Sequence, residues 1–258
     1  MIPSPTVRAL RSWLTVYRRI WRGSVSSSVL GPLFYLGAMG FGLGSLVNRH
    51  GTGGIGGVPY LAFVAPAILA MQAMQTAMSE STFPVFGATR WDYRYIAARA
   101  TPLRPADIYR GHLLYIALRL TANSAIFLAI AAAFGSLRSA WAVAALPAAA
   151  LCGLAFAAPV AAWAITVTRD TSFNYAFRFG MTPLMLFSGT FFPLSRLPDW
   201  LRLVAYATPL WHGVALCRAL TLGTLDAGSI AIHVAYLLAL TGLGLWAGSV
   251  TYRRRLHV

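Results

Sequence analysis

LFSGTFFPLSRLPDWLRLVAYATPLWHGVALCRALTLG, residues 186–223, decides how the whole chain is read. A short apolar run ends at Phe191-Phe192-Pro193. The chain then passes through Pro198-Asp199-Trp200 and Thr208-Pro209 into a segment too polar to cross a bilayer. Proline removes a backbone donor and clashes with the preceding turn, so Pro193, Pro198 and Pro209 cut the stretch into short pieces. Arg196, Asp199, Arg202 and Arg218 exclude a full span, since each such charge costs about 2.5–3.5 kcal/mol at central depth. A free aqueous loop is disfavoured as well, because Leu197, Trp200, Leu201, Leu203, Val204, Tyr206 and Trp211 would all meet water. Short helices dipping into one leaflet satisfy both limits, and broken backbone there survives only when buried in protein or lining a wet cavity. Residues 193–223 are therefore expected to form a re-entrant helical hairpin.

Outward from this hairpin the chain is apolar nearly throughout. Of its 258 residues 58% are hydrophobic and 10% charged, where a soluble domain carries about 25% charged residues. Runs long enough to cross hydrocarbon recur along it. The expected fold is an all-α integral membrane domain, residues 1–258, with six transmembrane helices. Their expected bounds are 26–47, 59–80, 111–134, 141–167, 175–192 and 230–252, with a Gly-rich loop at 48–57 and the hairpin between the fifth and sixth. The first 25 residues hold five arginines and no uninterrupted apolar core, so they are not a cleavable signal. Leu10, Trp13, Leu14 and Tyr17 recur at helical spacing among them, as expected of an amphipathic helix lying in the membrane interface.

All 21 basic residues are arginine, and the formal net charge is +15. These arginines sit between apolar runs rather than along one solvent-facing stripe, which makes them topology signals and contacts to membrane lipids and excludes nucleic acid as the partner. Fifteen of them, from Arg8 to Arg22, Arg90 to Arg110, Arg169, Arg178 and Arg253 to Arg255, fall on one side of a six-span chain. Five (Arg49, Arg138, Arg196, Arg202 and Arg218) fall on the other. The positive-inside rule then places both termini in the cytoplasm and the hairpin outside. Cys152 and Cys217 lack metal-ligand spacing and read as small core residues in different regions.

The chain resembles the permeases of the ABC-2 type ABC transporter family over nearly its whole length. Four places carry the likeness: Gly31-Pro32-Leu33-Phe34-Tyr35-Leu36 running on to Gly40-Phe41-Gly42-Leu43-Gly44; Tyr60-Leu61-Ala62-Phe63-Val64-Ala65-Pro66; Thr101-Pro102-Leu103 with Asp107-Ile108 and Gly111; and Pro209-Leu210-Trp211-His212 followed by Arg218. Within the family it is most similar to the branch that exports lipo-oligosaccharides such as nodulation factors, with drug-export permeases next. His112 and Gly31 depart from that branch, standing where acidic residues are expected. The resemblance implies a permease subunit in the bacterial inner membrane that moves a lipid-linked or amphipathic substrate, a glycolipid, lipo-oligosaccharide or drug, out of the cytoplasm. It implies partnership with two copies of an ABC ATPase subunit and with a second permease copy or a homologous permease. No G-x-x-x-x-G-K-[ST] loop occurs in the chain, so ATP and Mg would be held by the partner ATPase and no cofactor by this chain.

Three groups of residues are candidates for function. In the family, a short coupling helix after the second span inserts into the ATPase. Here Trp91, Tyr93, Tyr95 and Ile96 would supply buried anchors, with Arg90, Arg94 and Arg99 as polar rim. The second group is a substrate path. Met71, Met74 and Met78 run beside Gln72, Gln75 and Ser79 at helical spacing, forming one mixed stripe on the second span. Arg119 lies about 13 Å into the third span, near the midplane, where a charge pairs or faces water; Glu80 is expected to pair with Arg110. The third group, Phe191, Phe192, Trp211 and His212, would form an apolar outer gate with a hydrogen-bonding histidine behind it. No second histidine or carboxylate stands at ligand spacing from His212, so no metal site is expected.

Two other classes compete. A membrane-embedded lipid- or glycosyl-processing enzyme needs clustered acids, bases or metal ligands, but the six acidic residues Glu80, Asp92, Asp107, Asp170, Asp199 and Asp226 are scattered. An ion-coupled secondary transporter often carries repeated halves, unwound mid-spans and intramembrane acids, whereas the breaks here fall at the outer edge.

Overall fold

The computed structural model describes residues 4–46, 57–98 and 100–256, so most of the Gly-rich loop, with Arg49, and Arg99 lie outside the described residues. The described residues are all-helical. Among the described residues five helical stretches are long and apolar enough to cross a membrane: Pro5–Leu46, Tyr60–Arg90, Pro105–Ala133, Ala140–Ala164 and Ala227–Leu256.

Helix α1 (Pro5–Gly37) continues through a π-helical turn, Ala38–Leu43, to Leu46. The expected separate interfacial helix and first span are thus one element. The physical reason lies at their junction. Ser26 Oγ donates to the Arg22 carbonyl and Ser28 Oγ to the Ser24 carbonyl, both at 2.8 Å, so the polar stretch satisfies its hydroxyls on the helix itself and nothing forces a break. At 42 residues the element is about 63 Å long, twice the hydrocarbon thickness.

α2 (Tyr60–Ser81) is the most enclosed helix, buried along almost its whole length. It breaks at Thr82 into α3 (Phe83–Arg90), and α4 (Arg94–Ala98) follows after a turn at Tyr93, whose φ of +52° is left-handed. α5 (Pro105–Ala133) starts six residues before the expected span because the Asp107 carboxylate accepts the Arg104 backbone N–H and caps it. α6 (Ala145–Ala164) follows a 3₁₀ turn at Ala140–Ala144.

The expected fifth span is shorter and earlier than 175–192. α7 (Thr171–Tyr175) runs through a π-helical segment, Ala176–Met181, into α8 (Thr182–Phe187), and the helix is over before Phe191. The three hairpin prolines act as expected, but as starters of helices rather than only as breakers. Pro193 precedes a 3₁₀ turn, Pro198 is the N-cap of α9 (Asp199–Tyr206), and Pro209 opens α10 (Pro209–Leu222). Gly223, at φ +78°, closes α10 in the left-handed conformation. α11 (Ala227–Leu256) is the last helix.

α2 and α6 form the centre, with α5, α10 and α11 around them and α1 laid along α5. α1 and α5 run parallel, from the Thr6–Asp107 hydrogen bond to the Phe41–Phe134 ring contact. The C-terminal end of α11 meets the same end of the bundle, through Tyr252 against Tyr95 and Tyr109 and through Arg255 donating to the Thr166 carbonyl. Both ends of the described chain therefore lie at one end of the bundle, called here the near end. At the far end, the Arg138 N–H donates to the Thr221 carbonyl. The outer faces of α1 (Leu30, Leu33, Phe34, Phe41) and α11 (Ile232, Leu238, Leu243, Trp246) are exposed apolar surface suited to lipid.

Small residues set the packing distance, as expected where lipid offers no hydrophobic drive between helices. A Cβ on Gly213 would stand 2.2 Å from Cys152 Sγ and one on Gly248 2.1 Å from Tyr109 Cζ. Cys152 and Cys217, expected in different regions, are both free thiols buried where α6 meets α10. Tyr109 cannot swing aside, because its hydroxyl lies 2.8 Å from the Ala158 and Gly244 carbonyls. Gly248→Val is therefore expected to destabilise the protein by about 1–3 kcal/mol, read as a lower thermal midpoint in detergent. Gly242→Val, with nothing within 4 Å of its Cβ, should leave that midpoint unchanged.

Candidate functional site

Three helices build a polar cleft inside this apolar bundle. Ser28 from α1, Gln72, Gln75, Thr76, Ser79 and Glu80 from α2, and Arg119 and Asn123 from α5 line a cavity of about 270 Å³. Arg119 is the most constrained of them. Its guanidinium pairs with Glu80 Oε1 at 2.9 Å, donates to Tyr115 Oη at 3.2 Å and lies 5.0 Å from the centre of the Tyr17 ring. Glu80 thus pairs with Arg119, not Arg110. The geometry explains the difference, since Arg110 is exposed in the second turn of α5 while Arg119 comes two and a half turns later and faces α2. Farther along, Ser28 Oγ lies 3.0 Å from Asn123 Oδ1, so its one hydroxyl proton is shared between that oxygen and the Ser24 carbonyl, and Asn123 Nδ2 reaches Thr76 Oγ1 at 3.5 Å.

Gln72, Gln75 and Arg119, expected in a substrate path, are brought together here; Met71 is not. Met71, Met74 and Met78 are buried in the core, so the mixed stripe separates into a methionine face packed inward and a glutamine-serine face on the cleft. Gln75 Nε2 also contacts Met185 Sδ at 3.3 Å, which sets α8 beside the cleft. Sequence reading missed Ser28, Thr76 and Asn123. Their signal was present as polar side chains within apolar spans, but three separate helices had to be aligned to read it.

The segment expected to couple divides in two. Arg90, Trp91, Tyr93 and Ile96 are exposed, Trp91 by 56% and Tyr93 by 57%. Tyr95 is buried instead. Its ring lies against Trp13 and Tyr252, and burial raises its hydroxyl above the usual tyrosine value, which leaves it a donor 3.4 Å from His112 Nδ1. Arg94 turns inward too, pairing with Asp92 at 3.3 Å and lying 4.6 Å from the centre of the Trp13 ring. Trp13 stacks on His112 at 4.0 Å. Tyr95 and Arg94 thus anchor α4 to α1, α5 and α11, while the exposed four are free to meet a partner.

At the hairpin, α10 starts deep and rises. A Cβ on Gly213 would lie 3.7 Å from Ala70, ten residues or about 15 Å below the first residue of α2, and Thr221 lies at the far end. Arg218 fixes that path. Its Nε donates to the Phe63 carbonyl at 3.2 Å, its Nη2 donates to the Gly189 carbonyl at 3.0 Å, and the guanidinium covers the Phe63 ring. His212 has a second histidine beside it after all, with His233 Nδ1 2.8 Å from its own Nδ1. It also stacks on Tyr236 at 3.9 Å, and Trp211 packs against Tyr206 and His233. Among the described residues no three or more His, Cys, Asp or Glu gather as metal ligands, and the pair is a hydrogen bond between α10 and α11. Trp211 and His212 therefore sit below the far end rather than at its rim; Phe191 packs against the main core and Phe192 is half-buried. His233, isolated within an apolar run, gave no sequence signal of its partner.

A helical bundle with lipid-suited outer faces, a polar cleft across three helices and an aromatic surface at one end defines a polytopic transport subunit. The sequence profile of the ABC-2 type transporter family matches residues 7–222. The chain is 31% identical to Nodulation protein J of Sinorhizobium fredii (strain NBRC 101917 / NGR234) over 234 residues, 88% of this chain and 87% of that protein. It is equally 31% identical to Nodulation protein J of Rhizobium leguminosarum bv. trifolii over 255 residues, 95% and 94%. The chain belongs to the ABC-2 type transporter family, and is a multi-pass transmembrane permease subunit of an ABC exporter.

Proposed function

We propose that this permease moves a lipid-linked substrate with an uncharged, hydroxyl- and amide-rich headgroup, of lipo-oligosaccharide type, out of the cytoplasm across the bacterial inner membrane. The observation that carries this is the cleft's lining. Gln72, Gln75, Thr76, Ser79, Ser28 and Asn123 offer neutral donors and acceptors, while the one cation, Arg119, is already engaged by Glu80, Tyr115 and Tyr17. A neutral sugar can exchange hydrogen bonds with such a wall, whereas an anion would have to displace Glu80. The relatives named Nodulation protein J support the same branch. The energy comes from two copies of a separate ATPase docking on Arg90, Trp91, Tyr93 and Ile96, and a second permease copy or a homologue encloses the other half of the path. Differential contacts in two states, rather than covalent chemistry, do the work.

In this reading the chain crosses the membrane six times. α6 ends at the near end and α11 starts at the far end, so the short α7–α8 element with the hairpin makes the remaining crossing. The near end is cytoplasmic, in keeping with its arginine excess, and the hairpin is re-entrant from outside, with Trp200, Leu203 and Val204, exposed on α9, against lipid. Trp211, His212 and Phe192 then close the outer route.

Reconstitution with the cognate ATPase tests the proposal. Neutral lipo-oligosaccharides should stimulate ATP hydrolysis and be translocated, and stimulation by anionic amphiphiles alone would overturn it. Topology is checked separately in a background with Cys152 and Cys217 replaced. Arg8→Cys and Arg255→Cys should resist an impermeant thiol reagent in intact cells, and Asp199→Cys should react; labelling at either terminus would reverse the orientation.

A further inference from the structure

A second cavity lies at the near end, away from the polar cleft. It measures about 660 Å³ and is lined by Arg104 and Arg110 of α5 and its cap, Arg253 of α11, and Pro102 and Leu103 of the preceding turn. All three arginines are exposed. The one carboxylate there, Asp107, already accepts the Arg104 backbone N–H at 3.3 Å and the Thr6 hydroxyl at 3.2 Å. Arg255, two residues on, is turned away and donates to the Thr166 carbonyl at 3.0 Å. Three exposed arginines and one carboxylate therefore line the pocket, a net excess of positive charge with Pro102 and Leu103 in the same wall.

We propose that this cavity is a binding site for the phosphate headgroup of an anionic membrane phospholipid. Its depth argues for lipid. Past Arg110, α5 exposes Leu114 and Leu118, and before Arg253, α11 exposes Leu243 and Trp246, so the three arginines stand where apolar, lipid-suited surface gives way to charge. Guanidinium matches phosphate oxygens bidentately, while Pro102 and Leu103 offer apolar surface for the glycerol and upper acyl chain. The site shares the turn Thr101–Leu103 with the segment that follows α4, so the occupying lipid steadies that segment from behind.

The test titrates the purified full-length chain in detergent with a short-chain phosphatidylglycerol, with phosphatidylcholine of the same chain length, and with inorganic phosphate. Retention is read by native mass spectrometry and stability by thermal unfolding. Wild type should retain phosphatidylglycerol and gain stability from it, with little response to phosphatidylcholine. Arg110→Gln/Arg253→Gln should bind it about thirtyfold more weakly, at roughly fivefold for each arginine near the surface, while its melting without lipid stays unchanged. Arg254→Gln, a neighbour outside the cavity, should behave as wild type. Equal binding by wild type and the double variant would overturn the site. So would equal protection by inorganic phosphate, which would make it a soluble-anion site, or loss of ATPase association in the double variant with lipid binding intact, which would make it a protein contact.

Discussion

Glu80→Gln is expected to cost about 3–5 kcal/mol of stability and to abolish transport. The pair it breaks is about 15% exposed on either side, and removing one partner of a buried ion pair leaves the other charge uncompensated. Among the described residues Arg119 pairs with no second carboxylate, and its remaining contacts are the Tyr115 hydroxyl and the Tyr17 ring. Glu80→Gln/Arg119→Gln should recover most of the stability, because the unpaired charge is gone and two amides can hydrogen-bond in its place. The two measurements then separate. Thermal unfolding in detergent reports the pair as structure, and substrate-stimulated ATP hydrolysis by the reconstituted complex reports the cleft. A single variant as stable as wild type would show that water reaches the cleft freely enough to make the pair dispensable.

The second large effect is at the exposed turn. Trp91→Ala with Tyr93→Ala is expected to weaken association with the ATPase by about 2 kcal/mol or more, roughly thirtyfold, as for aromatic anchors at interface hot spots. Trp91 rests its ring edge against Phe86 at 5.4 Å yet leaves over half its surface open. Tyr93 is held outward by a left-handed backbone that a non-glycine residue adopts only under constraint. Tyr95→Ala makes the contrast. It should lower the thermal midpoint of the permease alone, because its side chain fills the space between α1, α5 and α11. Affinity measured by surface-immobilised ATPase against the permease in nanodiscs decides. Unchanged affinity for the Trp91/Tyr93 variant would assign those rings to the lipid surface instead.

What could be read from the chain beforehand depended on how local the physics was. The hairpin breaks were legible because proline acts on its own turn. The membrane class was legible because composition alone separates it from soluble domains. The continuity of α1 was not, since a change from arginine-rich to apolar surface looks like a boundary although the backbone meets no breaker there. The bounds of α7–α8 were misjudged because hydropathy is blind to the π-helical register of Ala176–Met181 and to the Gly189 turn. At the site, Gln72 and Gln75 could be singled out, but their separation from Met71 depends on which face of α2 meets α6 and α10. Glu80 with Arg119 and His212 with His233 are contacts between distant residues, and two or three helices had to be brought into register before either partner could be named.

The unbroken α1 has a mechanical side. One helix carries Trp13, packed against Arg94 and Tyr95 of α4, and Ser28, part of the cleft wall, and continues past Phe41 at the opposite end of α5. Over a length of about 63 Å, a tilt of roughly 5° about its midpoint carries each end through nearly 3 Å, as much as a hydrogen bond is long. If the element tilts as one rod, its two ends move most and Ser28, close to its midpoint, moves least, so the α1 side of the cleft acts as the pivot; Pro32 and the π-helical turn Ala38–Leu43 are the points along it where it can bend instead.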